Sequence, residues 1–141
     1  MRFWDSSAIV PLLIGEPEHS DARATFEHDP EMVAWWGTSV EVVSALARRE
    51  REGRVRPDAI LRAMHRLDGL AAAWQEVEPS DQLRQSAIRV LRVHPLRAAD
   101  AFQLAAALSA AEGYPSTLGF VTFDDRLADA AQREGFSIVP S

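Results

Sequence analysis

Four places in the sequence carry acids where acids are out of keeping with their surroundings. Asp5 closes the short apolar run "RFW", and the doublet Asp124 and Asp125 closes "GFVTF". In a parallel sheet both positions open onto the same rim, the place where open α/β sheets bind ligands. Glu41 lies in "TSVEVVSALA" between valines, and Asp100 lies in the Ala- and Leu-rich stretch "LRAADAFQLAAALSAA". Each has an ordinary explanation. An Asp after a strand caps the next helix, Thr38-Ser39-Val40-Glu41 fits a capping box, and a first-turn Asp complements the helix dipole. A shared divalent cation accounts for all of them together. Crowded carboxylates repel and raise one another's pKa, and a hard cation turns that repulsion into binding. Oxygen donors without His or Cys select Mg²⁺ or Mn²⁺ over zinc, and the reaction such acidic sites support is metal-assisted attack on a phosphate ester.

The elements that must bring these acids together are legible as an alternation. Strand-like runs at 2–4, 32–35, 75–78, 119–123 and 136–139 are separated by helix-like segments at 6–14, 20–28, 39–52, 58–73, 81–93, 98–112 and 126–134. That order predicts an α/β fold with a small central, mainly parallel five-stranded sheet between helical layers. Thr38 or Ser39 is placed to cap the third helix, Pro57 opens the fourth and Ser80 caps the fifth, while Gly53, Gly113 and Gly135 stand where helices end. The fourth helix carries Ile60, Leu61, Met64, Leu67, Leu70 and Ala71 at helical spacing, a one-sided apolar face that packs against the core or a partner.

Composition sets the frame. At 141 residues and 47% hydrophobic, the chain is expected to form a single domain, 1–141. It has no cysteine, which excludes a disulfide framework and a thiolate site and fits a cytoplasmic setting, and no apolar run long enough to span a bilayer. The net charge of −6 looks wrong for a nucleic-acid binder, yet the charge is uneven: residues 48–97 are basic between two acidic flanks. All 15 cations are Arg, and the run Arg48, Arg49, Arg51, Arg54 and Arg56 either guides nucleic acid or forms a solvated helix end.

Four motifs in this order, "FWDSSAIV", "TSVEVVSAL", "HPLRAADAFQLAAAL" and "FVTFDDRLADAA", span nearly the whole chain. Together they resemble the PIN domain, in particular VapC-type toxin ribonucleases of toxin–antitoxin pairs. The resemblance implies a PIN-like three-layer α/β/α fold and catalytic acids Asp5, Glu41, Asp100 and Asp124 holding Mg²⁺ or Mn²⁺. It implies hydrolysis of RNA by metal-activated water, leaving 5′-phosphate and 3′-hydroxyl ends. Ser7 and Thr122 would support the site, with Asp125 as an outer acid. The partners it implies are an RNA substrate, a small antitoxin laid along a groove that the fourth helix would help form, and a second copy in a homodimer.

Rival chemistries lack their residues. A haloacid-dehalogenase-like phosphatase needs a second Asp where Ser7 stands, and a receiver domain needs a Lys the chain does not have. His19, His28, His65 and His94 form no convergent acid–base pair. Two readings stay open beside the toxin: a PIN-like module that binds RNA or protein without cutting, and an RNA-processing nuclease without an antitoxin.

Overall fold

The computed structural model describes residues 1–141. Its strands are β1 (Arg2–Trp4), β2 (Met32–Trp35), β3 (Gln75–Val77), β4 (Gly119–Val121) and β5 (Ser137–Val139). Its helices are α1 (Ser6–Ile14), α2 (Ala22–His28), α3 (Thr38–Arg51), α4 (Pro57–Ala73), α5 (Asp81–Val93), α6 (Ala98–Ala111) and α7 (Asp125–Arg133). All strands pair in parallel in the order β3-β2-β1-β4-β5. Successive strand residues point to opposite faces, so one short sheet serves two cores. Phe3, Val33, Trp35 and Phe120 pack with α5, α6 and α7, whereas Trp4, Ala34 and Val121 pack with α1, α3 and α4. The expected three-layer α/β/α arrangement is therefore present, with the inner strands β1, β2 and β4 buried between the helical layers and the edge strands β3 and β5 more exposed.

Strand order decides where the site can be. From β1 the chain builds outward through β2 and β3, then returns to the other side of β1 for β4 and β5. The boundary between β1 and β4 is the switch point, and the carboxyl ends of those two strands deliver Asp5 and Asp124 beside each other.

Several local expectations need correction. Segment 20–28 is shortened: α2 starts only at Ala22, and a separate 3₁₀ turn (Pro17–His19) precedes it. β4 ends at Val121 because Thr122 and Phe123 already belong to the turn that Asp124 closes by capping α7, its Oδ1 accepting from Leu127 N at 3.0 Å. Ser80 does cap α5, but α3 begins without a side-chain cap. Gly37 precedes it, and a Cβ there would lie 2.6 Å from Nε1 of Trp35, whose ring is stacked on Phe102 with centroids 5.5 Å apart. On α4 the face is core, with Ile60, Ala63 and Leu67 buried, while Leu61 and Met64 remain exposed. His94 is structural: its Nε2 lies 2.7 Å from Glu134, which Arg89 also holds, joining the end of α5 to the end of α7. No helix is long and apolar enough to cross a membrane.

Candidate active site

Asp5 is both the N-cap of α1 and a buried acid, only 3% exposed, so capping and site chemistry are not alternatives here. Three donors converge on its Oδ2: Ser7 Oγ at 2.5 Å, Thr122 Oγ1 at 2.9 Å and Ser7 N at 3.3 Å. The same hydroxyls accept from the turn after β4, Ser7 Oγ from Phe123 N and Thr122 Oγ1 from Asp124 N. This lattice fixes the ends of β1 and β4 against each other and places Ser7 and Thr122 in direct hydrogen-bond contact with Asp5. Burial raises the Asp5 carboxyl to about 6 in spite of these bonds, with the Asp100 charge adding to the rise.

Glu41 stands in the first turn of α3, but its carboxylate does not reach back to close a capping box. Oε1 accepts from Ser6 Oγ at 3.2 Å and Oε2 from Gln103 Nε2 at 3.1 Å. Burial, then the neighbouring Asp5 charge, raises it to about 7. Ser6 Oγ is also 3.4 Å from Oδ1 of Asp5. A serine hydroxyl has one proton to give, so two carboxylate oxygens compete for a single donor. Leaving a buried carboxylate oxygen unsatisfied is costly, and the bridging position asks for a positive charge.

Asp100, in the first turn of α6, completes the set from the opposite helical layer. Its pKa is raised, first by burial and then by Asp124. One cavity of about 760 Å³ is lined by Ser6, Glu41, Asp100, Asp124 and Asp125. Within it Asp124 is the partly buried cap and Asp125 the exposed neighbour. No group of three or more acidic or histidine side chains yet stands close enough to hold an ion. The acids nevertheless fit one by chemistry: only hard oxygen donors, mutual repulsion, and a shared hydroxyl between Asp5 and Glu41.

A family model described as the PIN domain matches residues 2–133. The chain belongs to the PIN domain family. Two curated relatives named Ribonuclease VapC45 and Ribonuclease VapC49, from two strains of Mycobacterium tuberculosis, are each 32% identical over 139 residues, 99% of this chain and 94% of the relative. Among solved structures, M. tuberculosis VapC20, titled a sarcin–ricin loop cleaving toxin, superposes with a TM-score of 0.68 at 18% identity over 96% of each chain. A toxin–antitoxin complex from Klebsiella pneumoniae superposes at 0.62 with 16% identity, covering 89% of this chain and 88% of that one. At those identities the superpositions establish the fold.

In this PIN domain the sequence reading passed over Ser6 as a weak support and missed Gln103, Arg97 and Arg126. Gln103 is fully buried, donates to Thr38 Oγ1 at 3.0 Å as well as to Glu41, and has no partner for its own Oε1. The available signal was a lone amide three residues after Asp100 on an otherwise apolar helix. Of the five arginines read as an RNA guide, only Arg48 lines the cavity; Arg49 is tied to Glu16 at 2.8 Å, Arg54 to Glu52, and Arg56 to Asp58. Arg51 lies exposed outside it.

Gln103 positions Glu41, and removing its amide has a measurable consequence. Gln103→Leu, close in volume, deprives Glu41 Oε2 of its donor. We expect Mn²⁺ affinity, read by calorimetry, to fall by about 10- to 100-fold, the usual cost of losing a group that orients a ligand. Unchanged affinity would reduce Gln103 to a packing residue.

Proposed function

We propose that this chain is a metal-dependent endoribonuclease, the toxin of a toxin–antitoxin pair. The observation that carries the reading is the gathering of Glu41, Asp100 and Asp124 around one cavity, with the buried Asp5 joined to Glu41 through the single hydroxyl of Ser6, which also lines it. The names of the two ribonuclease relatives supply the substrate class.

Asp5, Glu41, Asp100 and Asp124 would hold Mg²⁺ or Mn²⁺. Such an ion supplies the acidity that makes hydroxide from water near pH 7 and the charge that stabilises a phosphate under attack. The protein's own part is placement. Ser7 and Thr122 aim Asp5 by occupying Oδ2 and leaving Oδ1 toward Glu41. Gln103 holds Glu41 from beneath, and Asp124 keeps a fixed carboxylate by capping α7. Asp125, exposed at the lip, serves as an outer acid.

We further propose an antitoxin partner, for which the exposed Leu61 and Met64 of α4 offer an apolar seat, and a homodimer acting in the cytoplasm. The activity is tested by incubating the protein with total bacterial RNA in Mg²⁺, Mn²⁺ or EDTA and sequencing new 5′-phosphate ends. Discrete ends that need the ion are expected. Binding of RNA without any new ends would favour the non-cleaving module, and cleavage confined to precursor RNA would favour the processing nuclease.

A further inference from the structure

An acidic chain that handles RNA must take hold of phosphate somewhere. Ten of its fifteen arginines are already engaged: Arg23, Arg49, Arg54, Arg56, Arg62, Arg84, Arg89 and Arg133 with carboxylates, Arg2 and Arg66 with backbone carbonyls. Arg48, Arg51, Arg92, Arg97 and Arg126 have no such partner. Three of these five, Arg48, Arg97 and Arg126, line the one cavity that holds the acids. Their lack of partners is unexpected, because five carboxylates of opposite charge line or adjoin the same cavity.

We propose that Arg48, Arg97 and Arg126 form a phosphate grip that seats the RNA backbone on both sides of the bond to be cut. The inference rests on the nuclease reading above. Arg97 immediately precedes α6 and Arg126 is the second residue of α7, so both stand on the Asp100 and Asp124 side. Both are near enough for their charge to lower the Asp100 carboxyl against burial and Asp124, yet neither forms an ion pair, and both are exposed. Arg48 stands on the other side. It is seven residues beyond Glu41 on α3, two turns or about 10.5 Å along the helix, with Ser44 and Ala45 lining the wall between them. A strand crossing the acids thus meets a free guanidinium before and after them. Guanidinium suits this task because its planar fork matches two phosphate oxygens.

The test measures binding of a fluorescent pool of random single-stranded 12-nucleotide RNA in EDTA, where no ion-dependent cleavage intervenes, across a range of KCl concentrations. Arg97→Gln and Arg126→Gln keep the stem and remove the charge, and their melting temperatures check the fold. Each is expected to weaken binding about 3- to 10-fold at low salt and to reduce the slope of log Kd against log salt by about 0.7, the value for one phosphate contact on a single strand. Arg62→Ala, whose guanidinium is paired with Asp58 on α4, should bind like the wild type. Wild-type binding that neither Gln variant nor Arg48→Gln alters would overturn the grip and leave the nuclease intact. A wild type that binds no RNA and yields no new ends overturns the nuclease reading, and the grip with it.

Discussion

Asp100→Asn is expected to abolish RNA cleavage while leaving the fold unchanged or slightly more stable. The substitution preserves shape and removes one charge from a place where charge is already disfavoured, since burial and Asp124 both raise the Asp100 carboxyl. A metal-free Asp100→Asn protein should therefore melt no lower than the wild type at pH 8. Its ion affinity should fall by more than the roughly 100-fold that marks the upper end for supporting residues, with cleavage falling at least as far. Retained cleavage in Mn²⁺ would remove Asp100 from the site. Lost cleavage with a much lowered melting temperature would make it structural.

The second large effect is a pH dependence that the ion erases. The Asp5 carboxyl is raised from 3.8 to about 6 and the Glu41 carboxyl from 4.5 to about 7. The folded chain holds these protons more tightly than the unfolded chain does. Stability in EDTA must then fall as the pH climbs from the ordinary carboxylate range through these raised values, and level off above them. The rise at Asp5 corresponds to at most about 3 kcal/mol. Other acids, such as Asp29 and Asp58, are shifted the opposite way and finish titrating below this range. Between pH 5 and pH 8 we expect the melting temperature in EDTA to drop by about 5 °C, and less in Glu41→Gln. Mn²⁺ at pH 8 should restore it, because a ligand that binds only the folded chain stabilises it by mass action. A melting temperature that rises with pH in EDTA, or a fall that Glu41→Gln does not reduce, would show that these acids are not strained at neutral pH.

Much of this was readable from residue types and spacing, because strands and helices leave periodic marks. β1, β2, α1 and α5 fall where the alternation and caps put them, and Asp5 and Asp124 follow from strand ends sharing a rim. Glu41 was ambiguous for a physical reason: Thr38-x-x-Glu41 is a valid cap in isolation, and only the approach of α6 brings Gln103 near enough to take both side chains. Tertiary partners of that kind carry no local signature. The arginines show the same limit in reverse. A run of five looked like a basic guide, but most of its members are paired with acids close by in sequence or with Glu16 in the turn after α1, whereas Arg97 and Arg126, solitary in sequence, line one cavity only because α6 and α7 start at the same rim.

The acids come from positions 5, 41, 100 and 124, and the strand that carries the first must wait at the centre of the sheet for β4, the fourth to be made. No fragment lacking the last quarter of the chain can assemble the cluster. A ribosome making this protein therefore holds a polypeptide without the cluster until β4 and Asp124 have been made, and chains cut short before that point never gather the four acids. Assembly of the site is thereby tied to the making of β4.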